Sequence, residues 1–212
     1  MPVTLVIGAN GQIGRLLVQL MSEQQLPVRA MVRNPEQADY FRQLGAEVVI
    51  ADLEKSLPDD AFQDCDQIVF TAGSGGKTGA DKTILVDLWG ACKAIEMAIK
   101  HQVKQFVMVS AQNAGDPDNG NPAIKHYNVC KHFADQYLLG SGLPFTILRP
   151  GKLINSPAIG KISTLRPDDK AQHIISRADV AHCIIHCLTH DHSKNRIIAL
   201  YQGDLFIDSA MS

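Results

Sequence analysis

Val3-Thr4-Leu5-Val6-Ile7-Gly8-Ala9-Asn10-Gly11-Gln12-Ile13-Gly14-Arg15 is the stretch whose reading decides the fold. Its opening apolar run is too short for a free-standing helix and suits a strand buried on both faces. Gly8, Gly11 and Gly14 follow at a spacing of three, and Leu16, Leu17 and Leu20 then fall at helical spacing. Each glycine has its own task in a strand–turn–helix unit. Gly8 permits a turn that would strain a residue carrying Cβ, Gly11 leaves the backbone bare for a phosphate, and Gly14 lets the helix lie close on the sheet. The free N–H groups and positive dipole end of that helix face the anion. Gly8, Asn10, Gly11, Gln12, Ile13 and Gly14 are therefore the candidate pyrophosphate contacts. A glycine-rich turn without a ligand is the plainer alternative, and the strand before it and helix after it weigh against that.

Working outward, 212 residues with a formal charge of −2 suit a single domain, 1–212, with residues 151–195 forming most of a substrate side. There is no basic stripe, so neither nucleic acid nor an anionic membrane surface is an expected partner. No apolar run is long enough to span a bilayer, and the chain enters its first strand too early for a signal peptide. Five cysteines without zinc-ribbon spacing read as reduced thiols. A soluble, cytoplasmic protein is expected.

Strands are expected at Pro27–Val32, Ala46–Ile50, Gln67–Thr71, Phe106–Ser110 and Pro144–Leu148, the last broken by Arg149-Pro150-Gly151. Between them lie a helix ending near Gln25, another over Glu36–Leu44, and a long one carrying Ile84, Leu88, Ala91, Cys92, Ile95 and Ile99 as its apolar stripe. Gln112–Pro122 reads as a loop and Lys125–Leu139 as a helix stopped by Gly140-Ser141-Gly142. Beyond Gly151 come a short Ile162–Leu165 segment, a strand at Ala171–Ile175, a helix from Arg177 to His190 and a strand at Arg196–Tyr201. Six alternations of strand and helix predict an α/β fold: a doubly wound parallel sheet in three α/β/α layers, with a small C-terminal appendage on the substrate side. Ligands in such sheets sit beyond the carboxyl ends of the strands. That rule gathers Gly8–Gly14, Arg33, Asp52, Ala72, Gly73, Ser74, Ser110, Pro150, Gly151 and Lys152 into one cleft.

The end of strand two reads Met31-Val32-Arg33-Asn34, with no acid to hold ribose hydroxyls until Glu36. A guanidinium there pairs with a 2′-phosphate and stacks on adenine, so NADP is expected over NAD; a solvated surface arginine is the alternative. Asp52 is placed to accept from the adenine amino group while Leu53 packs on the ring, or else to cap the next helix. Tyr127 and Lys131 stand at i and i+4 on one helix face, after the strand whose end carries Ser110. A nearby ammonium and a bound nicotinamide would lower the phenol toward working pH, making Tyr127 the acid/base. Lys131 would also hold the nicotinamide ribose, and Ser110 would polarise the substrate oxygen.

Gly-x-x-Gly-x-x-Gly at the start, Tyr127-x-x-x-Lys131 after strand five and Arg149-Pro150-Gly151 after strand six resemble the short-chain dehydrogenase/reductase superfamily. The glycine spacing and short length are most similar to its atypical, epimerase-like NAD(P)H-binding branch. The resemblance covers nearly the whole chain, including Arg177-Ala178-Asp179-Val180-Ala181. It implies a Rossmann fold and a dinucleotide running from Gly8–Gly14 past Arg33 and Asp52, across Ala72–Gly73, to Lys131 and Pro150–Leu153, with Leu153 among its contacts. Members of the superfamily often carry adjacent serines at the end of strand five, where this chain has Ser110-Ala111.

His182, His186 and His190 recur at i+4, but Ala181, Ile184, Ile185 and Leu188 make the expected buried stripe. That places the histidines toward water, and no metal site is expected. Trp89 reads as packing, and Cys130 points away from the Tyr127–Lys131 face. Gly75, Gly76, Lys77 and Gly79 lack the phosphate-loop order and read as a mobile flap. The leading expectation is an NADP-dependent oxidoreductase acting on a small carbonyl, alcohol or conjugated acceptor. A non-catalytic NADP-reading sensor is the rival. A nucleotide-sugar epimerase ranks last because it needs a larger C-terminal domain. The long helix offers a surface for a homodimer.

Overall fold

The computed structural model describes residues 3–212. Its first half alternates β1 Val3–Ile7, α1 Gln12–Glu23, β2 Val28–Val32, α2 Ala38–Gln43, β3 Glu47–Ile50 and β4 Cys65–Phe70. A short α3, Ala80–Lys82, runs through a π-helical stretch at Thr83–Trp89 into α4, Gly90–Lys100. Then come β5 Gln105–Val109, α5 Lys125–Leu139, β6 Phe145–Pro150, β7 Lys152–Ile154, β8 Lys161–Ser163 and β9 Ile174–Ser176. α6 Arg177–Thr189, β10 Arg196–Gln202, β11 Leu205–Phe206 and α7 Ile207–Ala210 close the chain.

The strand order is β11-β8-β10-β6-β5-β4-β1-β2-β3. From β3 to β10 every pairing is parallel, with β1 flanked by β2 (Ile7↔Met31) and β4 (Ile7↔Phe70). This is the doubly wound Rossmann order, which reverses direction between β1 and β4 and opens its ligand crevice there. β8 and β11 extend the far edge antiparallel, and β7 pairs with β9 in a separate two-stranded ribbon.

Alternation along each strand feeds two cores. Val6, Val69, Val107 and Leu148 point to the face covered by α1 and α6, where Leu17, Val18, Val180 and Ile184 meet them. Leu5, Ile7, Phe70, Phe106 and Ile147 point to the opposite face, under Ala91, Ala94, Ile95, Ala134 and Leu138 of α4 and α5. Strands buried on both faces explain why β1 reads as a continuous apolar run.

Several expected boundaries shift for identifiable reasons. β6 continues through Pro150 instead of breaking at Arg149, because its last β5 pair is Val109↔Leu148 and the ring lies beyond that ladder. The segment expected as a strand at Ala171–Ile175 begins as a 3-10 turn, Lys170–Gln172, and pairs only from Ile174. The apolar stripe on the long helix fails at both ends: Ile84 is 52% and Ile99 45% exposed. The π-helical stretch shifts the phase, turning Thr83 and Asp87 inward. Leu88 of that stripe is half-buried.

The expectation that the α6 histidines face water is corrected at His186, which is buried. Its Nδ1 lies 2.9 Å from Asp208 of α7 and its Nε2 lies 3.1 Å from His192 Nε2. All five cysteines are free and buried. Burial pushes every one of their thiols up, Cys65 to about 11 and Cys187 to about 12, so none is a thiolate nucleophile at neutral pH. Among the described residues no helix is long and apolar enough to cross a membrane.

Candidate dinucleotide and active site

The turn after β1 is built as its glycines require. Gly8 has φ +86°, and a Cβ there would lie 2.6 Å from the Ala72 backbone N and Cα, beyond β4. A Cβ on Gly14 would fall on the Gly8 carbonyl oxygen and 2.7 Å from Ala9 Cα, so α1 rests directly on the strand end. Gly11 differs from both. It is exposed, its φ of −70° suits any residue, and its hypothetical Cβ meets only the Gly8 oxygen, at 3.2 Å. Bare backbone at Gly11 is not demanded by packing.

Gly11 caps α1 without a side-chain hydrogen bond, and the first turn carries no acid. The leading amides of that turn have no acceptor inside the helix and present a positive end to the cleft. Asn10 is occupied by Arg15, whose Nε and Nη2 donate to its Oδ1 at 3.0 and 2.5 Å.

Arg33, Asn34, Asp52, Lys55 and Ser56 line an open cleft of about 670 Å³ beyond β2 and β3. Among the described residues neither Arg33 nor Lys55 is paired with a carboxylate. Two free cations on one cleft wall suit a phosphate monoester. Asp52 Oδ1 accepts the Glu54 amide at 3.0 Å, capping a turn where a helix cap was the alternative reading. Leu53 is turned into the core, against Gly90 of α4. Lys55 and Ser56 carry no sequence signal; only the return of the chain after β3 brings them beside Arg33.

On the other side of the crevice, Ala72, Gly73 and Ser74 follow β4. The run that reads as a mobile flap is anchored at its root: Ser74 N–H donates to Asp87 Oδ2 at 2.9 Å, and Ser74 Oγ lies 3.2 Å from Thr83 Oγ1. Lys131 on α5 is only 2% exposed, its Nζ 5.9 Å from the Phe70 ring centre. Tyr127 is half-buried one turn earlier. Pro150 is buried at the end of β6, Gly151 presses against the His173 carbonyl, and Leu153 lies half-buried in β7.

Two features depart from the sequence reading. The protein's own groups push the Tyr127 phenol up, not down, through burial first and then the charges of Asp87 and Asp135. Ser110 is 3% exposed, and its hydroxyl is sealed from the cleft without a well-formed hydrogen bond. It lies beside Asp135, a fully buried carboxylate on α5 whose Oδ2 receives Arg149 Nε and Nη2, both at 3.0 Å. Burial raises Asp135 against the opposing pull of Ser110, Arg149 and Lys131. Ser110 Oγ, Gln112 Oε1, Asn128 Nδ2 and Asp135 Oδ1 are all buried and unpartnered, a concentration of unmet polar atoms at the β5–α5 end. Among the described residues no three His, Cys, Asp or Glu side chains are grouped as metal ligands.

Residues 8–191 match the model of a family described as NAD(P)H-binding. The chain is 48% identical over 210 residues to a Bacillus subtilis protein named as an uncharacterized sugar epimerase, YhfK, covering 97% of each. It also superposes on the structure of a candidate NAD-dependent epimerase/dehydratase from Bacillus halodurans, with a TM-score of 0.94 and 40% identity, over 100% of this chain and 99% of that one. The oxidoreductase ylbE from Lactococcus lactis matches with a TM-score of 0.87 and 29% identity, over 99% and 94%.

Proposed function

The chain belongs to the NAD(P)H-binding family, on the atypical, epimerase-like branch of the short-chain dehydrogenase/reductases, and from that premise we propose that it is an NADPH-dependent oxidoreductase. The observation that carries this reading is Lys131: a buried lysine one helical turn from Tyr127, with its Nζ beside Phe70 at the end of β4. Lys131 buries its stem but its Nζ is not among the sealed polar atoms of the site, so ribose hydroxyls can supply the partner that the ammonium lacks.

The residues present fit the dinucleotide. Gly8–Gly14 and the first-turn amides of α1 would hold its pyrophosphate, Arg33 and Lys55 its 2′-phosphate, Asp52 its adenine side, and Lys131 with Pro150–Leu153 its nicotinamide half. When bound, NADPH supplies a hydride. Tyr127 then donates its phenolic proton to the oxygen of a small carbonyl or conjugated acceptor and is reprotonated from solvent. The high proton affinity set by burial, Asp87 and Asp135 keeps that phenol protonated before the transfer. Lys131 steadies the phenolate left behind.

The relatives are named for different activities, one an uncharacterized sugar epimerase and one an oxidoreductase. One observation favours the rival sensor reading: the sealed Ser110 hydroxyl leaves Tyr127 without the customary second donor. NADPH oxidation at 340 nm against aldehydes, quinones, flavins and tetrapyrroles separates the two. Turnover with at least one acceptor, lowered about 10²–10⁴-fold in Tyr127→Phe while NADPH affinity persists, supports the enzyme. Tight NADPH binding with no acceptor reduced supports the sensor.

A further inference from the structure

We infer that Asp87 is a positioning residue for the nicotinamide half of the dinucleotide, fixing the Gly73–Ser74 backbone against the long helix. This rests on the NADPH-binding reading above. Asp87 is 1% exposed on a helix whose neighbours Ile84 and Trp89 are about half exposed, the reverse of what burial energetics alone select. The π-helical stretch Thr83–Trp89 creates that inversion, and such stretches recur where a helix is bent to a functional purpose.

The inverted face makes two polar contacts with one short segment, and a third feature fits it closely. Asp87 Oδ2 accepts the Ser74 N–H at 2.9 Å, and Thr83 Oγ1 lies 3.2 Å from Ser74 Oγ. Asp87 Oδ1 lies 3.0 Å from where a Gly73 Cβ would stand, so the absent side chain is what admits the carboxylate. The segment continues from Ala72, whose backbone abuts Gly8 across the β1–β4 crevice. Gly8 and Ser74 are thus joined through a continuous backbone contact to one helix face.

The same carboxylate acts on the Tyr127 phenol from across the α5 packing surface, raising its proton affinity. Asp87 therefore stands between the segment that the dinucleotide crosses and the proposed acid/base. Its reach is confined to the β4–α5 side. Arg33, Asp52 and Lys55 line the other side, beyond β2 and β3, and Asp87 is not among their cleft's lining.

That separation gives the test, by calorimetry on the full chain with two probes, NADPH and 2′,5′-ADP. The fragment carries only the adenosine half. Asp87→Ala is expected to weaken NADPH at least about tenfold while 2′,5′-ADP stays within about twofold. Asp87→Asn keeps an oxygen for the Ser74 amide and should restore NADPH to within about threefold of the parent. Thr83→Val, which deletes the second tether without changing shape, should weaken NADPH alone and carries the test if Asp87→Ala does not fold. Parental NADPH affinity in Asp87→Ala, or in Thr83→Val where that variant carries the test, overturns the inference. So does an equal loss of both probes, the mark of a general structural role. Parent protein that binds neither probe overturns the NADPH reading itself, and this inference with it.

Discussion

Gly11→Ala should leave the fold standing and remove most of the dinucleotide affinity. Gly11 is the glycine of the motif that the polypeptide does not need. Its φ of −70° and ψ of 165° suit alanine, and the added methyl would meet only one atom, the Gly8 oxygen at 3.2 Å. Relieving that contact takes a few tenths of an ångström, and alanine at a helix N-cap costs about 1 kcal/mol. For a chain of this size that lowers Tm by about 2–4 °C. The same methyl would sit on the cap residue of α1, where the motif keeps the backbone bare for a pyrophosphate. Displacing a pyrophosphate from even one charge-assisted hydrogen bond costs about 1.5–3 kcal/mol, roughly a 10–150-fold loss of affinity. Gly14→Ala is the control, because its methyl falls on the Gly8 carbonyl and Ala9 with no room to yield. It should cost roughly 3 kcal/mol or more, or roughly 6–12 °C of Tm. Differential scanning calorimetry and NADPH titration on the same preparations measure both quantities. A Gly11→Ala protein with parental NADPH affinity would refute the reasoning, as would one that unfolds as readily as Gly14→Ala.

Arg33→Ala should weaken NADPH by about 10–150-fold and leave NADH within about twofold, since it removes a charge-assisted contact to the 2′-phosphate alone; paired fluorescence titrations decide it. Acid should destabilise the protein through His186. Burial, helped by His190 and His192 and opposed by Asp208, lowers its proton affinity in the fold. The unfolded chain therefore binds the proton more readily, and stability that is full above about pH 6.5 is lost as the pH falls below it. A Tm profile from pH 8 to 5 should fall less steeply in His186→Asn than in the parent, and identical slopes would exclude this role.

Much of this architecture is legible because its strands are buried on both faces and its first turn has a steric logic readable in two glycines, Gly8 and Gly14. Gly8 and Gly14 each meet backbone in the structure, as their spacing demands. The long helix is less legible because a 3.6-residue period does not hold through a stretch that is π-helical. That period puts Ile84 in the core and gives no sign of the buried Asp87. A helical wheel turns His186 toward water because its cover, Asp208 and His192, comes from elsewhere in the chain. β7, β8, β9 and β11 are two or three residues long, too short to show a period. The strand-end position of Ser110 suggests a hydroxyl open to the cleft, whereas in the fold it is buried beside Asp135. The direction in which a side chain points at a strand end is set by tertiary packing, and no local pattern encodes it.

Isothermal titration of the parent protein with NADPH and with NADH tests the central claim most directly. A saturable, single-site isotherm with NADPH, tighter than that with NADH, is the predicted result. Absence of binding heat with both dinucleotides, confirmed by unchanged Tm in their presence, would contradict it.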